Sequence, residues 1–82
     1  MRDIKFLIKL HKFKNLKFTG SELLSLTGEF YSYPKSLKIR KKILDNNIIA
    51  FEGVSKQDKR VKLYRLSNLA FEEMAKKFTE GE

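Results

Sequence analysis

Apolar side chains at the start of the chain recur with the spacing of a helix. Those at i, i+3, i+4 and i+7 are Ile4, Leu7, Ile8 and His11, and those that widen the same face are Phe6, Leu10 and Phe13. Lysines at positions 5, 9 and 12 fall on the other side, which we expect to face water. The pattern predicts a first helix of about three turns that ends near Asn15.

A complete helix-start signal follows this first segment. Thr19 and Glu22 have the spacing of a capping box, in which each side chain accepts a hydrogen bond from the other residue's backbone amide. Phe18 and Leu23 have the spacing of the hydrophobic staple that often accompanies such a box. We expect a short second helix whose leucines face the core and which stops at Gly28, in the left-handed conformation.

A third and strongly basic helix is predicted from Tyr33-Pro34 to Asp45. Proline is accepted in a first helical turn, and an asparagine at 46 or 47 can leave the helix at positive φ. On a helical wheel, one side carries Lys35, Lys38, Lys41 and Lys42, and Tyr33, Leu37 and Leu44 lie across from much of it, with Ile43 beyond. Arg40 falls near the apolar side, so we expect its stem to pack while its guanidinium reaches water.

Two segments rich in β-branched and aromatic residues come next, Ile48–Gly53 and Arg60–Leu66, which predicts a β-hairpin. The basic loop between them, Val54–Lys59, is too long for a two-residue turn. Ser67 is then placed to cap a last helix. The wide apolar face of that helix consists of Leu69, Ala70, Phe71, Met74, Ala75 and Phe78.

Composition and charge change this picture by indicating a partner. The 82 residues are 41% hydrophobic and 12% aromatic, which predicts a single domain over 1–82 with a modest core. The net charge is +8, and it is unevenly placed: residues 1–65 carry 16 Lys and Arg against 6 Asp and Glu, whereas residues 66–82 carry 2 against 4. Such a charge attracts a polyanion, either nucleic acid or an acidic membrane surface.

The same composition argues against several classes of protein. Because there is no cysteine and only one histidine, we expect no metal site, and His11 is expected to be structural. There is no glycine-rich phosphate loop, nucleophile pair or close carboxylate pair, so we expect no enzyme, no cofactor and no small-molecule ligand. No apolar run approaches the roughly 18 residues of a membrane span and no secretory signal is visible. We therefore expect a cytoplasmic, nucleoid-associated protein.

Three stretches of the chain carry a resemblance to a known family. Thr19–Leu26 is similar to a capped support helix, Lys35–Ile49 to a recognition helix that runs into a first wing strand, and Leu63–Ser67 to a second wing strand and its exit. In this order they resemble the winged helix-turn-helix domain of small transcriptional regulators of the MarR and PadR type. The resemblance spans nearly the whole chain and implies an α+β, mostly helical fold: three helices, a β-hairpin wing and a C-terminal helix.

The resemblance implies sequence-specific binding of double-stranded DNA, with helix 34–45 in the major groove and the 54–60 wing on the backbone. The contacts it implies are Tyr31, Tyr33, Lys35, Ser36, Lys38, Arg40, Lys41 and Lys42 around the helix and Lys56, Gln57, Lys59 and Arg60 in the wing. Lys35 and Ser36 lie near the helix start and are best placed for base edges. Tyr31 and Tyr33 can donate to phosphate, although packing is the commoner role for such tyrosines.

The last helix has a wider apolar face than one small domain easily buries. This favours a two-fold homodimer through Leu69, Phe71, Met74 and Phe78, either alone or together with the first helix, and hence a regulator that reads two half-sites about one helical turn apart. The alternative is a winged-helix adaptor or an RNA-binding component of a ribonucleoprotein, transcription or replication complex, because charge does not distinguish RNA from DNA. Binding to a palindromic duplex supports the dimeric regulator, whereas binding to structured RNA supports the adaptor or RNA-binding component.

Overall fold

The computed structural model describes residues 2–80, which form four helices and a three-stranded antiparallel sheet. The helices are α1 (Arg2–His11), α2 (Gly20–Gly28), α3 (Tyr33–Asp45) and α4 (Phe71–Thr79). The strands are β1 (Lys17–Thr19), β2 (Ile49–Val54) and β3 (Lys62–Leu66). The predicted α+β class is confirmed, as is the order of the four helices and the hairpin. None of the helices within residues 2–80 has the length and apolar character needed to cross a membrane.

One hydrophobic core lies between the helices and the sheet. Its buried members from the helices are Phe6, Leu7, Leu10, Leu23, Leu26, Ile39, Ile43, Met74 and Phe78, and those from the strands and turns are Phe18, Tyr31, Ile48, Ile49, Tyr64 and Leu66. The ring of Phe6 is 5.5 Å from that of Tyr31 and 6.0 Å from that of Phe78. Phe6 therefore joins α1, α4 and the turn before α3, and burial of such a side chain contributes about 1.5–3 kcal/mol.

The sheet has the order β1-β3-β2, with β3 in the middle. Phe18, Tyr64 and Phe51 are directly opposite one another across the three strands, so they share one face. Between Phe51 and Gly53 the pairing shifts by one residue, and Gly53 has φ of +130°, a conformation open to glycine at little cost. Strand β1 was not predicted, because three residues are too few to show a period of two.

Helix α1 has the predicted length of about three turns, but it ends before Asn15 and buries only part of the predicted apolar face. It ends at His11, and residues 12–15 form turns that let the ring of Phe13 pack edge-on to Phe18, 5.5 Å away. The side chains of Ile4 and Ile8 are 48% and 47% exposed, although both were predicted to face the core. The reason is that Phe6, Leu7 and Leu10 fill the space against the rest of the molecule, which leaves the isoleucines on the flank.

Helix α2 begins as predicted and ends differently. The Glu22 amide donates to Thr19 Oγ1 and the Thr19 amide donates to Glu22 Oε1, each at 3.1 Å, so the capping box is confirmed. Thr19 is also the last residue of β1, opposite Leu63 of β3. Gly28 was wrongly predicted to be left-handed: it is the last helical residue, and Glu29 follows at φ of −70°. The chain leaves through a turn in which the Phe30 amide donates to the Thr27 carbonyl.

Helix α3 has the predicted bounds but is rotated from the predicted orientation. Asn47 leaves it at φ of +60°, as expected for an asparagine after a helix. Its buried residues are Ser36, Ile39 and Ile43, whereas Tyr33 and Leu37, which were predicted to lie opposite the lysines, are exposed. Ser36, which was predicted to contact bases, is instead buried, and its small side chain allows close packing of the helix.

Helix α4 begins at Phe71 and is not capped by Ser67. Its N-cap position is Ala70, which offers no side-chain acceptor. The Ser67 hydroxyl instead donates to the Asn47 carbonyl at 2.6 Å, and the Ser67 amide donates to the Ile48 carbonyl. These bonds tie the end of β3 to the turn after α3, so the predicted cap was wrong.

Candidate nucleic-acid interface

The outward side of α3 carries exposed cations and exposed apolar groups. Lys35, Lys38 and Lys41 are exposed, and among residues 2–80 no acidic side chain forms an ion pair with any of them. Tyr33 is 70% exposed and Leu37 is 41% exposed. The burial of Ser36, Ile39 and Ile43 on the other side fixes the rotation of the helix, so this surface is presented as a unit.

A groove of about 540 Å³ lies beside α3, between the start of α2 and the hairpin. Its lining residues are Thr19, Gly20, Ser21, Leu24, Arg40, Arg60, Val61, Lys62 and Tyr64. Three of these are cations, and none is an acid. Arg40 is half-buried, in keeping with the prediction that its stem packs. The groove therefore offers a concave positive surface next to the exposed face of α3.

The hairpin loop is held by an internal ion pair. Arg60 donates through Nε to Asp58 Oδ1 at 3.1 Å and through Nη2 to Asp58 Oδ2 at 3.2 Å, and the Arg60 amide also donates to Oδ1. The hydrogen bonds from the Arg60 side chain, followed by that from its amide, lower the pKa of Asp58 from its ordinary value of 3.8. Arg60 thus reaches the groove with part of its charge neutralised, whereas Lys56, Gln57 and Lys59 are exposed.

The face of the hairpin that borders the groove continues onto β2. Lys62 and Tyr64 line the groove, and their opposite residues across the strand pair are Val54 and Phe51. Both are exposed, and the ring of Phe51 packs edge-on to that of Tyr64 at 6.1 Å. The hairpin thus presents apolar surface beside its cations.

Two predicted contact residues belong to the core and not to this surface. Ser36 is only 2% exposed, and its hydroxyl donates to the Tyr31 carbonyl at 3.4 Å. Tyr31 is buried, and its hydroxyl donates to Asp3 Oδ1 at 2.6 Å. Both predictions were wrong for the same reason: the turn before α3 folds inward against Phe6, so side chains at its inner edge cannot reach a ligand on the outside.

Lys42 lies on the flank of α3 that faces α4. Its Nζ is 4.5 Å from the centre of the Phe78 ring, and one turn later Asn46 Nδ2 donates to the Lys77 carbonyl at 2.9 Å. Asp45 and Glu80 share a shallow depression with Lys38, Lys41 and Lys42 at this end. At this end of α3, lysines and acidic side chains therefore lie close together.

The predicted dimer face of α4 is mostly core within one chain. Met74 and Phe78 are fully buried, while Leu69 and Phe71 are half-buried. The edge of Phe71 packs against the His11 ring at 5.7 Å, and His11 Nε2 is 3.4 Å from the Leu69 carbonyl oxygen. Met74 and Phe78 are thus unavailable to a second copy, because α1 and α4 pack together in the same chain.

Three groups at the surface were missed: Leu37, Phe51 and Lys62. Lys62 was detectable, because strand alternation places it on the same side as Tyr64. The exposure of Leu37 depends on the rotation of α3, which the wheel did not resolve. As for metals, residues 2–80 contain no group of three or more histidine and acidic side chains that would bind one.

Comparison of the chain with protein-family models, with curated proteins and with solved structures finds no match.

Proposed function

We propose that this protein binds double-stranded DNA in a sequence-specific manner as a winged helix-turn-helix domain and regulates transcription. The observation that carries the proposal is the groove lined by Arg40, Arg60 and Lys62, which has no acidic residue in its lining. An α-helix is about 10–12 Å across with its side chains, which matches the width of the major groove, about 12 Å. The 13 residues of α3 extend about 20 Å along the helix axis.

The architecture supports this assignment. Helix α2 precedes α3 through a short turn, and the hairpin follows α3 after three residues, Asn46–Ile48. The sheet order β1-β3-β2 sets the hairpin next to the start of α2, so the helix pair and the wing border one groove. With α3 in the major groove, a DNA strand passes through that groove and the hairpin loop reaches the flanking backbone.

The contacts divide into those that hold the backbone and those that read bases. Lys38 and Lys41 neutralise phosphates on the outward side, and Arg40 and Lys62 do so inside the groove. Lys35 lies in the first turn of α3 and is placed for a guanine edge. With one or two further phosphate contacts from the hairpin loop, the total of five or six gives a slope near −5 in a plot of log affinity against log salt.

A selection from random DNA duplexes tests the proposal. We expect enrichment of a defined site whose binding survives an excess of unrelated duplex. In the variant Lys38→Ala/Lys41→Ala the salt slope falls by about two, whereas the matched variant Lys5→Ala/Lys12→Ala, on α1 and in the turn after it, keeps it unchanged. Failure to enrich any duplex, or tighter binding to structured RNA than to the best duplex, would reject DNA recognition in favour of the adaptor or RNA-binding alternative.

A homodimer is part of the proposal, through α1 and Phe71 and without the buried Met74 and Phe78. Ile4 and Ile8 are exposed on α1, and Phe71 of α4 is half-buried. The exposed side of α1 is basic, while α4 begins with Glu72 and Glu73, so a two-fold arrangement places opposite charges together. Sedimentation of the wild type should show a dimer, and Ile8→Glu should yield a folded monomer. A wild-type monomer at all concentrations, on and off DNA, contradicts the dimer.

A further inference from the structure

Leu37 is an apolar side chain in the middle of a cationic surface. It is 41% exposed, and its neighbours one helical turn away are Tyr33 and Lys41, with Lys38 beside it. Because Ser36 and Ile39 are buried and fix the rotation of α3, Leu37 cannot turn into the core. Any molecule that covers the lysines of this face also covers Leu37.

The chemistry of the major groove restricts what an apolar side chain can recognise there. The edges of guanine, adenine and cytosine present hydrogen-bond donors and acceptors, and only thymine adds an apolar group, the methyl at C5. Burial of an apolar side chain against a polar edge removes water from that edge without replacing its hydrogen bonds. A methyl group against Leu37 instead removes apolar surface from water on both partners.

We propose that Leu37 selects thymine at one position of the bound site by packing against its C5-methyl group. This inference rests on the proposed function, since it places α3 in the major groove. It assigns one element of sequence preference to a residue that carries no charge and forms no hydrogen bond. It also gives the protein a means of preferring DNA to RNA, because uracil lacks this methyl group.

The test replaces one methyl group at a time in the selected duplex. Each thymine is changed singly to deoxyuridine, and affinities are measured at constant salt. At one thymine we expect about a fourfold loss of affinity, the effect of burying one methyl group. Duplexes with cytosine or 5-methylcytosine at that position are compared next. We expect the protein to bind both of them more weakly than the thymine duplex, but to bind the 5-methylcytosine duplex about four times more tightly than the cytosine duplex.

Two variants assign the effect to the side chain. Leu37→Ala removes the contact while keeping a good helix former at an exposed position, and we expect it to bind the thymine and deoxyuridine duplexes equally. Leu16→Ala is the matched control, because Leu16 is 57% exposed in the segment between α1 and β1, far from α3 in sequence and outside the groove lining. This control should keep the fourfold ratio.

Three outcomes overturn the inference, and only the third of them also overturns the proposed function. If the wild-type protein binds the duplex and its affinity is unchanged by the loss of any thymine methyl group, Leu37 contacts none of these methyl groups. A methyl effect that persists in Leu37→Ala assigns the contact to another side chain. If no duplex is bound at all, the unmodified DNA shows it first, and both proposals fall together.

Discussion

Two grooves flank helix α2, and they differ in charge more than in size. The first, of about 540 Å³, is lined by Arg40, Arg60 and Lys62 and has no acidic residue in its lining. The second, of about 380 Å³, has Lys9 and Lys12 but also Glu22 and Glu29 in its lining. The same helix thus borders one positive groove and one balanced groove.

The difference shows why a count of lysines does not locate a binding surface. In the second groove Lys9 Nζ is 3.2 Å from Glu29 Oε1, so its charge is already partnered within the chain. On the outward side of α3, by contrast, Lys38 and Lys41 form no ion pair with any residue in the described range 2–80. Whether a cation already has a partner decides how much field it offers to a polyanion.

The largest effect is expected from charge reversal on the outward side of α3. Lys38→Glu with Lys41→Glu removes two phosphate contacts, which weakens DNA binding by roughly 50- to 100-fold at 0.1 M salt. The control, Lys9→Glu with Lys12→Glu, makes the same change of charge at the second groove and should cost much less. Affinity is measured by fluorescence anisotropy, with circular dichroism to verify folding. Equal losses in the two variants would mean that net charge alone governs binding.

A smaller effect is expected from Arg40, which supplies one contact inside the first groove. Arg40→Ala should weaken binding about eightfold at 0.1 M salt and reduce the salt slope by about one. Lys9→Ala serves as the control for loss of a single cation at the second groove and should leave the slope unchanged. An unchanged slope in Arg40→Ala would show that no phosphate enters the first groove.

Removal of an acidic side chain beside the first groove is expected to strengthen DNA binding. Asp58→Asn takes away the carboxylate that holds Arg60, and we expect a two- to fivefold gain in affinity for all duplexes. Glu29→Gln, which releases Lys9 at the second groove, should give no gain. Because hydrogen bonds from Arg60 lower the pKa of Asp58 below 3.8, its carboxylate stays charged from pH 5 to 8. The affinity for DNA should therefore not change with pH through Asp58 in that range. Weaker binding by Asp58→Asn would contradict the expected gain and would mean that the ion pair of Asp58 and Arg60 is needed to order the loop.

The smallest effect on binding is expected from Lys42, whose ammonium lies over Phe78 and away from both grooves. Lys42→Ala should lower the free energy of unfolding by about 0.5–1 kcal/mol through loss of the cation–π contact, with less than a twofold change in affinity. Urea denaturation and anisotropy measure the two quantities separately. A loss of affinity as large as that of Arg40→Ala would place Lys42 in the interface.

Much of the local structure was predictable, because short-range chemistry determines it. The capping box of Thr19 and Glu22 and the bounds of α3 follow from residues close together in the sequence. Strand β1 was not predictable in this way, since three residues become a strand only by pairing with β3. Secondary structure set by a distant partner leaves no periodic signal.

The site was predicted less well than the fold, and the rotation of α3 is the reason. Treating Ser36 as polar and Leu37 as apolar assigned each to the wrong side of the helix. Packing decided otherwise, because the turn before α3 requires a small side chain at 36, next to the buried Tyr31. Lys42 was placed in the arc of contacts because the sequence does not show that α4 returns to cover that flank.

Thr19 has a consequence for the geometry of recognition. As the last residue of β1 it is paired to the hairpin, and as the cap of α2 it begins the helix that supports α3. No linker separates the hairpin from α2, so if the protein binds DNA as proposed, the distance between α3 and the hairpin is fixed beforehand and little conformational entropy is lost on binding. For DNA sites, the distance in base pairs between the bases read and the backbone touched is then a constant, and one inserted base pair between them should abolish simultaneous contact.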